Sequence, residues 1–132
     1  MKLLKTLMII TDVGFVLYWL ITCLHLIPAE MLFKDYSSSV LVHWNWSFLP
    51  LDLAISATGL TSLWLSRKGL PSARRLMIVS LTLTFVSGLQ AISFWVLAQD
   101  FSLMWWLPNL FLLLYPLFFL PRLIGLGDTH RA

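Results

Sequence analysis

Four long apolar runs alternate with short polar or basic segments along this chain of 132 residues. A helix needs about 20 apolar residues to cross a hydrocarbon core of about 30 Å, and each run is close to that length. The pattern predicts four spanning helices, over residues 7–27, 47–65, 76–98 and 104–121. We therefore expect an all-α fold, a polytopic membrane protein whose four-transmembrane-helix antiparallel bundle forms a single domain over residues 1–132.

Proline and serine residues mark the ends of these predicted helices. Pro28 stops the first run, because its ring cannot continue a helix without the loss of a hydrogen bond. Ser47 is a candidate N-cap for the second helix, and Pro50 then falls in the first turn, where a missing N–H does little harm. Segment 66–75 predicts a tight basic hairpin, and Pro121 is expected to close the fourth helix.

The composition lies outside the range of soluble domains. Hydrophobic residues make up 59% of the chain and charged residues 11%, with a mean hydropathy of +0.86, whereas soluble domains are roughly half apolar and a quarter charged. The net charge of +3 comes from short basic clusters beside the apolar runs, so it indicates membrane topology and not nucleic-acid binding. Cys23 is the single cysteine, which excludes an internal disulfide.

The basic residues also predict an orientation, because lysine and arginine collect on the cytoplasmic side of membrane proteins. Lys34, in the short polar connection 29–39, is the one basic residue on the predicted outer side. The other eight fall on the opposite side: Lys2, Lys5, Arg67, Lys68, Arg74, Arg75, Arg122 and Arg131. Both termini are therefore expected in the cytoplasm.

A layer of polar residues is predicted in the outer half of the bundle. Insertion of an aspartate at the centre of a membrane helix costs about 2.5 to 3.5 kcal/mol, so such a residue is expected to have a structural or functional role. The four helices each offer one polar group at a similar depth, and tryptophans flank them. The candidate ligand-binding residues are Asp52, Gln90, Asn109, His25, Tyr18 and Trp46. They form either a pocket that opens outward or a set of interhelical hydrogen bonds worth about 0.6 to 2 kcal/mol each.

Asp12 is predicted near the cytoplasmic end of the first helix, far from Asp52. It is either an anchor bonded to the backbone or to Lys5, or a proton-coupling residue. Because the two carboxylates are expected near opposite faces, they do not predict an acid–base pair, and we assign no catalytic residue. The histidines lack zinc-ligand spacing, so no metal and no cofactor is predicted. Ser80, Thr84 and Gly88 recur every fourth residue and predict close helix packing.

Several segments resemble one known family. They are TDVGFVLYW at 11–19, IPAE at 27–30, FKDY at 33–36 and WNWSFLPLDL at 44–53. These segments are similar to the YvaD-like proteins, which are small four-span bacterial membrane proteins. The resemblance implies a location in the bacterial cytoplasmic membrane. It supplies no catalytic residues, because the family is uncharacterised.

Three functional classes stay open on the sequence alone. The first is an accessory or structural membrane component, which the pattern favours and which has the lipid bilayer and another membrane protein as partners. The second is a binder or enzyme for a lipophilic small molecule, with an outward-facing pocket around Asp52. The third is a small proton-coupled exporter that uses Asp12. No feature of the chain predicts a particular reaction.

Overall fold

The computed structural model describes residues 1–28 and 38–128, and every regular element in these two ranges is α-helical. The helices are α1 (Lys2–Cys23), α2 (Ser39–Trp46), α3 (Phe48–Arg67), α4 (Ser72–Leu97) and α5 (Leu103–Asp128). By length and composition, α1, the combined α2 and α3, α4, and most of α5 could each cross a membrane. The predicted all-α class with four helices of spanning length is confirmed. Lys34 and Arg131 lie outside the described residues.

The helices extend beyond the apolar runs that predicted them. α1 begins at Lys2, and α4 begins at Ser72, so that the arginines expected in the hairpin belong to its first turns. α5 continues through Pro121 to Asp128, although that proline was expected to end it. A proline inside a helix removes one hydrogen bond. Leu123, which is 2% exposed in the apolar core, gives the last part of α5 a buried contact that offsets this loss.

Three helices end in the same way, with one residue in the left-handed backbone conformation. These residues are His25 after α1, Gly69 after α3 and Gln99 after α4, with φ of 52°, 68° and 55°. Each end is closed by a Schellman hydrogen bond. The bonds run from the Leu26, Leu70 and Asp100 amides to the Ile21, Leu65 and Trp95 carbonyls, at 3.1, 3.1 and 3.0 Å. α1 therefore ends before Pro28 is reached.

A break at Ser47 separates α2 from α3. Ser47 stands at the predicted N-cap position of α3, but its side chain does not cap the helix, because its hydroxyl donates to the Trp44 carbonyl. Ser38 does cap α2 by accepting a hydrogen bond from the Leu41 amide at 3.5 Å. Pro50 falls in the first turn of α3, as predicted. Trp44 and Trp46 therefore lie on the short helix α2, which directly precedes α3.

Neighbouring helices run antiparallel around one apolar core. The beginnings of α1 and α4 meet the ends of α3 and α5 there, and α4 packs against both α3 and α5. We call this group the apolar core, and its residues are Leu4, Met8, Leu63, Met77, Leu81, Tyr115, Phe119 and Leu123. It fills one end of the bundle and leaves the other end to the polar side chains.

Gly88 brings α4 and α5 into direct backbone contact. A Cβ atom on this residue would come within 2.5 Å of the Leu113 nitrogen and 2.8 Å of the Asn109 oxygen. Ser80 and Thr84, on the same face, are each 1% exposed. The small-residue face of α4 is thus packed inside the bundle, as its spacing predicted.

Candidate functional site

A cavity of about 330 Å³ lies at the end of the bundle opposite the apolar core. Side chains from all five helices line it, and four of them are tryptophans. The lining residues are Phe15, Tyr18, Trp19, Leu41, Trp44, Asn45, Phe48, Asp52, Ser87, Ala91, Trp95, Met104, Trp105, Pro108, Asn109 and Leu112. Mostly aromatic walls with a few polar groups are typical of small-molecule sites.

Asp52 is the one acidic residue among these lining residues, and it is 5% exposed. The Trp19 indole donates to its Oδ2 at 2.9 Å, and the Ser87 hydroxyl donates to its Oδ1 at 3.3 Å. These bonds join α3 to α1 and α4. Because a carboxylate offers about four lone-pair positions, two accepted bonds leave it able to accept further donors. Asp52 therefore links three helices and keeps acceptor capacity at the cavity wall.

Three other polar side chains border the cavity. The Asn45 amide donates to the Tyr18 hydroxyl at 3.1 Å, which ties α2 to α1. The Asn109 amide donates to the Trp105 carbonyl at 2.7 Å, within the first turns of α5. These bonds fix the direction of both amides. The polar part of the cavity is thus built from side chains with defined positions.

Ring contacts hold the aromatic part of the wall. Trp44 stacks on Phe94 with ring centroids 4.1 Å apart, and meets Trp95 edge to face at 5.5 Å. Trp19 is backed by Trp46 at 5.3 Å. Aromatic pairs at such separations are favourable beyond the area they bury. The wall therefore contains two groups of contacting rings, one between α1 and α2 and the other between α2 and α4.

The structure brings some of the sequence-predicted residues together and separates others. Asp52, Asn109 and Tyr18 line the cavity. Trp46 lies behind Trp19 and is not among the lining residues. Gln90 is exposed on the outer face of α4.

His25 is exposed in the turn after α1, where its left-handed backbone closes the helix. Neither Gln90 nor His25 lines the cavity.

The cavity also contains residues that are not among the sequence-predicted site residues. Those that take part in its hydrogen bonds and ring contacts include Trp19, Trp44, Asn45 and Ser87. The sequence spacing could have predicted that Ser87 faces inward, since it follows Ser80 by seven residues and shares the face of α4 that carries Thr84. No sequence pattern could have predicted that Trp19 faces inward, because an aromatic residue in an apolar helix is compatible with either the core or lipid.

Asp12 is more deeply placed than expected, at 1% exposed. Its backbone carbonyl accepts a hydrogen bond from the Ser56 hydroxyl at 2.8 Å. Among residues 1–28 and 38–128, its Oδ2 atom has no hydrogen-bond partner, so the expected bond of this atom to Lys5 is absent there. In the same two ranges, no three His, Cys, Asp or Glu side chains group as a metal site would require.

The fold and the cavity define a small helical protein with four helices of spanning length and a buried carboxylate beside an aromatic cavity. The chain belongs to the DUF5360 family, described as a family of unknown function, which it matches over residues 4–130. It is 47% identical to "Uncharacterized protein YvaD" of Bacillus subtilis (strain 168) over 131 residues, or 99% of this chain and 98% of that protein. The resemblance seen in the sequence is confirmed. No solved structure matches the chain.

Proposed function

We propose that the four spanning-length helices cross a bacterial cytoplasmic membrane and that both termini lie in the cytoplasm. Large apolar side chains face outward along every spanning-length helix, as contact with lipid requires, for example Leu17, Leu60, Leu89 and Phe118. Basic residues cluster at the end of the bundle that holds the apolar core, where α1 and α4 begin and α3 ends. That distribution supports a cytoplasmic position for the apolar core and an outer position for the cavity.

We further propose that the cavity binds a small lipophilic molecule. The observation that carries this proposal is the position of Asp52, which is 5% exposed and borders a cavity of about 330 Å³ lined by four tryptophans. Binding sites for small molecules commonly measure roughly 300 to 1,000 Å³ and combine apolar walls with a few polar groups. Burial of a carboxylate costs free energy unless the group is hydrogen-bonded, and a ligand that donates a hydrogen bond to it would offset that cost.

The polar groups of the cavity indicate which ligand chemistry would suit it. The Asp52 carboxylate can only accept, and the Asn45 and Asn109 amides each donate one of their two N–H groups within the protein. A ligand therefore needs a donor, either an amine or a hydroxyl group, beside an apolar body. The faces of Trp44, Trp95 and Trp105 favour a cation, because an indole ring attracts positive charge. A lipophilic amine fits this combination best.

An accessory or structural role is the second candidate, and the bonds from Trp19 and Ser87 to Asp52 favour it. These bonds would hold α1, α3 and α4 together in a protein that binds no ligand. Such a role does not require an aromatic cavity next to the carboxylate. The presence of the cavity is the reason to prefer ligand binding, and no reaction is proposed.

Tryptophan fluorescence tests the proposal, because four of the seven tryptophans line the cavity. We expect para-bromobenzylamine, whose bromine quenches indole fluorescence, to quench the purified protein saturably, while para-bromotoluene binds less well. Asp52→Asn should weaken the amine by about tenfold or more, because a hydrogen bond to a charged group is worth about 1.5 to 3 kcal/mol. Asp100→Asn, outside the cavity, is the matched control. Equal affinity in wild type and Asp52→Asn would contradict the proposal.

A further inference from the structure

A second buried carboxylate, Asp12, lies between the cavity and the apolar core. Along α1, Met8 of the apolar core precedes it and Trp19 of the cavity wall follows it. The side chain is 1% exposed, so neither solvent nor lipid reaches it. It does not line the cavity and has no part in the proposed ligand site.

The bundle makes room for this carboxylate at Gly59. A Cβ atom on that residue of α3 would overlap the Asp12 Oδ2 atom and would come within 2.9 Å of the Ser80 hydroxyl oxygen. Tyr115 of α5 lies near Asp12 and also near Thr11 and Thr84. All four long helices therefore contribute residues near this carboxylate, and two of these residues, Ser80 and Tyr115, carry hydroxyl groups.

Two of the hydroxyl groups in this region already donate their hydrogen atoms to backbone carbonyls. Ser80 donates to the Ile55 carbonyl at 3.0 Å, and Thr84 donates to the Ser80 carbonyl at 2.8 Å. Toward Asp12 these two oxygens can therefore only accept. Across the described ranges, Asp12 Oδ2 and Thr11 Oγ1 have no hydrogen-bond partner, and no basic side chain there pairs with Asp12. The Asp12 site therefore contains oxygens that can accept a hydrogen bond from a protonated Oδ2.

We propose that Asp12 is a proton-binding site and that its carboxyl group is held as the neutral acid in the folded protein. A proton on Oδ2 turns an acceptor into a donor, which can then bond to an oxygen such as Thr11 Oγ1. The proton also removes an unpaired buried charge, which is far more costly than a buried neutral group. Tyr115 of α5 is a titratable group that faces Asp12.

The position of the site connects it to the cavity. Ser80, Thr84 and Ser87 form a continuous buried stripe on α4, each 2% exposed or less. Ser80 adjoins the Asp12 site, and Ser87 donates to Asp52. The two carboxyl groups thus stand at the two ends of one row of hydroxyls.

Infrared spectroscopy of the purified protein at neutral pH tests the proposal directly. A protonated carboxyl group has a C=O stretching band that is separate from the carboxylate bands and shifts in deuterated water. We expect wild type, Asp52→Asn and Asp100→Asn to show this band and Asp12→Asn to lose it. Asp12→Asn should still fold, because its amide also supplies a donor and carries no charge.

Two results would overturn the proposal. One is a wild-type spectrum from which Asp12→Asn removes no protonated-carboxyl band. The other is loss of the band when sodium chloride is added at constant pH, which would make the site one for sodium ions. If Asp12→Asn does not fold, Asp12→Glu replaces it: a shifted band supports the assignment to this residue, and an unshifted band refutes it. Because Asp12 does not line the cavity, neither outcome affects the test of ligand binding.

Discussion

The Trp19 indole donates a hydrogen bond of 2.9 Å to Asp52 Oδ2, joining α1 to α3 across 33 residues of sequence. Both side chains are buried, at 3% and 5% exposed. A buried acceptor that loses its partner carries the full cost of its desolvation. This one bond therefore contributes both to the stability of the bundle and to the position of the carboxylate at the cavity.

Replacing Trp19 by phenylalanine should lower stability by about 1 to 3 kcal/mol, because Asp52 Oδ2 loses its donor while most of the ring volume is kept. Thermal unfolding of the purified protein in a mild detergent measures this. Trp64→Phe is the matched control, since Trp64 is 54% exposed, and it should change stability by less than about 0.5 kcal/mol. Similar losses in both variants would refute the role given to the bond.

Gly88→Ala should destabilise the bundle by about 1 to 3 kcal/mol, because the new methyl group would press on the backbone of α5 at Asn109 and Leu113. Gly14→Ala is the control on α1, where a Cβ atom meets nothing within 4 Å. It should stabilise the protein by up to about 1 kcal/mol, because alanine is the better helix former. Opposite signs in the same unfolding assay are expected, and a harmless Gly88→Ala would contradict the close approach of α4 and α5.

Gln99→Gly should raise the unfolding temperature. Gln99 has a φ of 55°, a conformation that costs a residue with a side chain about 1 to 2 kcal/mol. Glycine avoids that cost but loses about 0.5 to 1 kcal/mol in backbone entropy. The difference leaves a net gain of about 0 to 1.5 kcal/mol. Gly69→Ala, at a φ of 68°, should have the opposite effect, and a lower unfolding temperature for Gln99→Gly would argue against the helix end described above.

Cysteine labelling tests the orientation, and the chain provides its own probe. Cys23 is the single cysteine, is exposed, and is the last residue of α1, at the cavity end of the bundle. A membrane-impermeant maleimide should label it in intact cells. In a Cys23→Ser background, Ser72→Cys at the start of α4 should be labelled only after permeabilisation. Labelling of both positions from both sides would instead indicate two orientations and would move the exporter alternative to first place.

The sequence was sufficient to predict the helices, because a run of about 20 apolar residues with few charges has few other stable structures. It also identified Asp52, since an aspartate within such a run is rare and needs a reason. It did not predict which face of each helix points inward. Gln90 is more polar than Ser87, and yet Ser87 lines the cavity.

The rotation of α4 explains this difference. Gly88 fixes the face of α4 that meets α5. Since an α-helix turns by about 100° per residue, Gln90 points about 200° away from that contact, to the outer surface. The small residues that set the rotation carry less polarity than the glutamine. Polarity alone therefore does not identify the side chain of α4 that lines the cavity.

The depth of Asp12 depended on where α1 begins. The apolar run starts at residue 7, but the helix starts at Lys2, so ten residues of helix precede Asp12. At about 1.5 Å per residue, that places it about 15 Å into the bundle. The hydropathy pattern places Lys2 and Lys5 before the first helix, but both belong to α1. A helix end that includes charged residues cannot be located from hydropathy alone.

Native mass spectrometry on protein extracted with its own lipids tests the central claim most directly. We expect wild type to carry a defined small mass that Asp52→Asn loses and Asp100→Asn keeps, because Asp52 borders the cavity and Asp100 does not. The mass would identify the occupant. Wild type without any small mass, or with a second polypeptide in its place, would contradict ligand binding and support the accessory role.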